Sequence, residues 1–206
     1  NWCSSLELAV RLVNWAFAWH LLGGVDSALF QGEDGRSFRR RWLQSVRQHC
    51  HFIDGWPSLH SSANNHLLGE QLGLFVAATT WPCWDESKRW QTASRLRFEE
   101  EALRQNAPDG VNREQSTWYQ HEVIDMMLIG GLFARANGVD FGPAYWERLE
   151  AMLEFIASIM DARGHVPAIG DSDDAVIVRL APAKGECVFR SQLASAAVLF
   201  NRAEFK

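Results

Sequence analysis

Apolar side chains recur at three- and four-residue steps, block after block, between residues 4 and 162, and short polar or Gly/Pro-containing stretches separate the blocks. That spacing is one buried face of an α-helix, and its repetition makes the chain a set of helices joined by turns. In residues 4–22, Leu6, Val10, Val13, Phe17 and Leu21 line one side, with Leu8, Leu12, Trp15 and Trp19 widening the stripe until Gly23-Gly24 stops it. A second helix is expected over 35–54, from Ser37 to about Ile53, with Arg39, Arg40 and Arg41 near its start. Arginines there oppose the helix dipole, which fits either a nearby anion or a solvated face. Later helices are expected at about Asp85 to Asn106, from about Ser116 to Gly138, at about Pro143 to Ala162 and from Phe189 to Phe200. Pro108-Asp109-Gly110 is a turn signal, and Ala175 to Leu180 alternates weakly, as a short strand would. Helical hairpins in series stack as a solenoid or close into a toroid.

The third helix carries the densest chemistry. Ser61-Ser62-Ala63-Asn64-Asn65-His66 turns directly into the apolar run Leu67, Leu68, Leu72, Phe75 and Val76, which ends at Trp81-Pro82. Ser62, Asn64 and Asn65 are all N-cap types. The first turn therefore sets Asn65 and His66 beside free backbone N–H groups and the positive end of the dipole, a favourable place for a carboxylate. Glu70, four residues after His66, is spaced to orient its ring. The fifth helix begins in the same manner. Asn112 with Gln115, or Ser116 alone, caps it, and Trp118, Tyr119 and His121 sit in its first turn. In a toroid the starts of alternate helices open on one end, so these two first turns would meet at one cleft.

Composition narrows the function classes. A net charge of −5 argues against a general nucleic-acid binder. The run Leu12–Val25, broken by Asn14 and His20, is too short to span a bilayer. Cys3, Cys50, Cys83 and Cys187 have no close pair, so they define neither a metal site nor a disulfide framework. No metal or cofactor is expected; His49, Cys50 and His51 are adjacent on a helix and point apart. Ten tryptophans exceed ordinary core needs, and exposed indole faces would stack on sugar rings.

Three segments in order resemble the helical toroid domain of the heparinase II/III-like polysaccharide lyases: Ser62-x-Asn64-Asn65-His66-x-x-x-Glu70-x-x-Gly73-Leu74, then Glu114-Gln115-Ser116-x-x-Tyr119, then Gly170-Asp171-Ser172-Asp173. Leu6-Glu7-Leu8-Ala9-x-Arg11 and Asn14-Trp15 resemble that family's early helix. The resemblance implies an all-α, incomplete (α/α) toroid with a loop or short strand near 165–180. It also implies a single toroid domain over 1–206, cut from a longer chain with a C-terminal β-sandwich domain. The implied reaction is β-elimination on an anionic, uronic-acid polysaccharide, heparin-like or alginate-like. Asn65 with His66 would neutralise the uronate carboxylate, and Tyr119 would transfer protons. Glu70, Arg113, Glu114, Trp118 and His121 would contact substrate, and Arg113, His66 or His121 would lower the tyrosine pKa. Family resemblance favours a bacterial periplasmic location over a cytoplasmic one. Two other readings remain: a glycoside hydrolase using two of Glu70, Glu114 and Asp171, and a non-catalytic carbohydrate-binding or scaffold module.

Overall fold

The computed structural model describes residues 4–172, 175–180 and 187–205. Among these residues the chain is all-α, with seven α-helices and four short 3₁₀ segments. It divides into two compact units, Asn1–Phe98 and Glu99–Lys206.

The first unit is built on α1 (Ser5–Leu21), α2 (Gly32–Gly55) and α3 (Asn65–Thr80). Ser4 caps α1 by accepting from the Leu6 amide, and the Ser5 hydroxyl reaches the Trp56 carbonyl at 2.8 Å, tying the start of α1 to the end of α2. α1 lies directly against α3, and Gly73 sets how close they come. A Cβ at Gly73 would sit 2.5 Å from both the Cα and the Cβ of Ala9. Glycine stands there because the backbones leave no room for a side chain. α3 is consequently buried almost all round, from Leu67 through Ala78.

α2 begins earlier than its apolar pattern suggests. It starts at Gly32 with Glu33 and Asp34 in its first turn, so Arg39, Arg40 and Arg41 lie a turn or more inside it and do not oppose its dipole. The tryptophans divide between packing and exposure. Trp81 and Trp90 are buried, and Trp15, Trp19 and Trp42 form one cluster with Phe30 and Phe38, ring centroids about 6 Å apart. Trp56 alone among these is mostly exposed, at 68%. Core packing accounts for most of the excess indole.

The second unit holds the last turns of α4 (Ser87–Gln105) with α5 (Thr117–Ala136), α6 (Pro143–Ile159) and α7 (Val188–Leu199). α5 packs on both α6 and α7. The Tyr145 hydroxyl, fully buried, donates to the Met127 carbonyl at 2.6 Å and locks α6 to α5. The Pro108-Asp109-Gly110 turn closes with Ala107 N–H to Val111 O at 2.8 Å and Arg113 N–H to Gln105 O at 2.9 Å.

The strand expected at Ala175–Leu180 does not form. Those residues run as irregular backbone. The polar stretch before them, 167–172, is bonded instead to the start of α5. Asp173, also part of the third motif, lies outside the described residues, as do Asp174 and Cys3.

Candidate functional site

The α3 first turn is prepared by Asn64, whose side-chain oxygen accepts the His66 amide at 3.1 Å and caps the helix. Asn65 follows, 4% exposed, and His66 beside it is half-buried. Glu70 does not orient the His66 ring as its spacing suggests. Its carboxylate is fully buried and takes two hydrogen bonds from Ser58, from the amide at 2.7 Å and the hydroxyl at 2.6 Å. Burial pushes the Glu70 carboxyl above its ordinary range, and the Ser58 bonds and the nearby His66 oppose that rise. Glu70 is therefore a clamp that fixes the loop entering α3. Ser58 escaped sequence reading because an isolated serine carries no spacing signal.

At the start of α5, Ser116 is the cap, its hydroxyl accepting the Tyr119 amide at 3.2 Å. Asn112, the other cap considered, is buried in the preceding turn. Its amide N–H donates to Gln120 Oε1 at 2.7 Å, and its side chain donates to Asn106 Oδ1 at 2.8 Å and accepts the Glu114 amide at 3.0 Å. Tyr119 is half-buried, and its hydroxyl donates to Asp171 Oδ2 at 3.1 Å. That partner is an anion where a pKa-lowering cation was expected. Arg113 is exposed and donates to the Arg104 carbonyl at 2.8 Å, at the end of α4.

His121 is buried, 2% exposed. Its ring lies between Trp118 and Phe189, with Nε2 3.5 Å from Asp125, while Gln192 of α7 donates to the His121 carbonyl and to Asp125, each at 2.7 Å. Burial pulls its pKa down against the pull of Asp125. It is a packing residue that joins α5 to α7. Trp118 and Glu114 remain half-buried near the start of the helix.

His49, Cys50 and His51 turn apart as adjacent helical residues must. His49 is buried against Trp15, Cys50 is buried with its thiol pushed up to about 12, and exposed His51 lies 3.4 Å from Glu86. No group of three His, Cys, Asp or Glu side chains gathers among the described residues. No helix among them is long and apolar enough to cross a membrane.

Residues 2–185 match the model of the heparinase II/III N-terminus family. The chain belongs to that family. Among solved structures, this heparinase II/III-type chain is similar to the heparan sulfate lyase HepC from Pedobacter heparinus, at 23% identity and a TM-score of 0.68 over 96% of this chain and 29% of that one. It is also similar to a heparinase III, at 16% identity and a TM-score of 0.75 over 97% of this chain and 29% of that one. At such identities the likeness shows the fold, which is the helical toroid type expected from the motifs. The chain spans under a third of the length of these structures. No curated protein matches the sequence.

Proposed function

We propose that this heparinase II/III-type chain forms the helical part of a lyase that cleaves a uronic-acid polysaccharide by β-elimination. The observation that carries the reading is the pair of helix starts within a family-matched chain: Asn65-His66 in the first turn of α3 and a half-buried Tyr119 hydroxyl in the first turn of α5. In this reading Asn65 and His66, at the positive end of α3, hold the uronate carboxylate and carry the charge that builds on it as the C5 proton leaves. Tyr119 gives or takes a proton at C5 or at the O4 bridge. We further propose that the active enzyme includes a second, β-sandwich domain, and that its substrate is heparan-like or alginate-like.

The hydrolase reading loses support at Glu70, whose carboxylate is fixed on Ser58 inside the first unit. The deciding assay offers the protein heparan sulfate and alginate and follows both ultraviolet absorbance and new reducing ends. Elimination gives both signals, because each cut leaves an unsaturated uronate. New reducing ends without absorbance would establish hydrolysis. Binding without either signal, in every length of the protein tested, would establish a non-catalytic module.

A further inference from the structure

We propose that Asp171 is a positioning residue for Tyr119, accepting its phenolic hydrogen bond and holding the hydroxyl as a neutral, aimed proton donor. The proposal rests on the catalytic reading of Tyr119 given above, and it narrows that reading from proton transfer in general to the acid role.

The 167–172 segment is fastened to the start of α5 at several points. The Ser116 hydroxyl, which caps α5, donates to the Asp171 carbonyl at 2.6 Å. The Thr117 amide donates to the Ile169 carbonyl at 3.0 Å, and the Thr117 hydroxyl donates to the Pro167 carbonyl at 3.0 Å and accepts the Ile169 amide at 3.2 Å. Gly170 has φ +72°, and a Cβ on it would stand 2.5 Å from the Gln115 carbonyl oxygen. Only glycine meets both conditions without strain, so Gly170 lets the loop press against the cap. Asp171 Oδ1 then accepts the Ser172 amide at 2.9 Å, and Oδ2 takes the Tyr119 hydroxyl at 3.1 Å. One serine thus sets both partners: it holds the backbone of Asp171 and the backbone of Tyr119.

A carboxylate at hydrogen-bond distance accepts the phenol O–H and disfavours the phenolate, since two negative charges would then face each other. The contact therefore favours a tyrosine that rests protonated. In the elimination, a separate general base takes the C5 proton and the C5–H electron pair forms the C4=C5 double bond; as the C4–O4 bond breaks with its pair staying on oxygen, the Tyr119 proton passes to O4, and the phenolate regains a proton from water as the base returns its own to water. The titratable neighbours of Tyr119 on α5 are His121 and Glu122, both buried, and Arg113 in the preceding turn is turned to the Arg104 carbonyl. Asp173 and Asp174 follow Asp171 in the sequence, outside the described residues.

The chain has two tyrosines, and the buried Tyr145 phenol is raised well above its ordinary value. Ultraviolet titration of the unmodified chain minus Tyr119→Phe therefore isolates Tyr119. The expected midpoint lies above the ordinary tyrosine value of about 10. Asp171→Asn should lower it by roughly one unit, and Asp171→Glu, which keeps the charge, should leave it higher than Asp171→Asn does. A midpoint at or below about 10 in the unmodified chain overturns the proposal without any Asp171 variant having to fold. An unchanged midpoint in a helical Asp171→Asn protein overturns it as well. The titration needs no turnover, so a missing unsaturated product removes the lyase reading alone, and a failed titration removes the Asp171 contact alone.

Discussion

The starts of α3 and α5 look alike in sequence and are built differently. At α3, the residues that fix the turn are local: Asn64 caps, and Glu70 is clamped to Ser58, twelve positions earlier. At α5, Ser116 caps locally, but the tyrosine it presents is completed by Asp171, 52 positions later. One turn is set by its own helix and the loop entering it, the other by a distant loop fastened on top. A buried clamp is a matter of stability, whereas a half-exposed hydroxyl held by a carboxylate can be lost without unfolding anything.

Glu70→Ala breaks the α3 clamp and should show the largest stability effect. It strands the half-buried Ser58 donors and opens a cavity where the buried carboxylate stood, costing about 3 kcal/mol in denaturant unfolding. Asp171→Ala, by contrast, should change stability by less than about 1 kcal/mol, since its carboxylate lies near the surface. Equal losses in the two variants would erase the distinction between the two turns.

Gly73→Ala tests the packing that places α3. The added methyl meets the Ala9 backbone, and the expected loss is about 2 kcal/mol even though alanine favours a helix. A neutral or stabilising result would mean that α1 and α3 are less tightly packed than described.

The pH dependence of stability should separate the two regions by sign. Glu70 has a raised pKa in the folded state, so its contribution is full below the ordinary carboxylate pKa of 4.5 and is lost as pH rises through its folded value. His121 has a lowered one, so its contribution is full above 6.5 and is lost as pH falls from there towards its folded value. Stability measured against pH in Glu70→Gln and His121→Gln should flatten these two opposite limbs separately. A single limb altered by both variants would contradict the assignment.

The smallest expected effect concerns Arg39, Arg40 and Arg41, interior to α2 and half-buried or exposed. Charge reversal should weaken polysaccharide binding a few-fold and reduce its salt dependence, in line with screened surface charge. Unchanged binding would make them a solvated face.

Helix identity was legible because three- and four-residue spacing reports burial directly; α3, α5, α6 and α7 begin and end close to where the sequence places them. The start of α2 was not, since Gly32 to Arg36 holds no apolar residue and burial gives no signal there. Ala175–Leu180 misled because weak alternation over six residues fits an irregular segment as well as a strand. At the candidate site, Asn65 and Tyr119 stood out by position after a cap. The Ser58 clamp on Glu70 and the burial of His121 were not legible, because spacing along a helix shows which residues share a face and not whether that face is buried. The Asp171 contact could not be inferred, because nothing local to Tyr119 points to a residue so far along the chain.

The most direct test of the central claim is turnover by Tyr119→Phe in the active enzyme, followed by ultraviolet appearance of the unsaturated uronate, with Asn65→Ala alongside. Tyr119→Phe keeps the ring and its packing and removes only the proton carrier. It should abolish product while leaving folding and substrate affinity nearly unchanged, and Asn65→Ala should slow turnover by roughly 10²–10³-fold. Undiminished product formation by Tyr119→Phe would contradict the account.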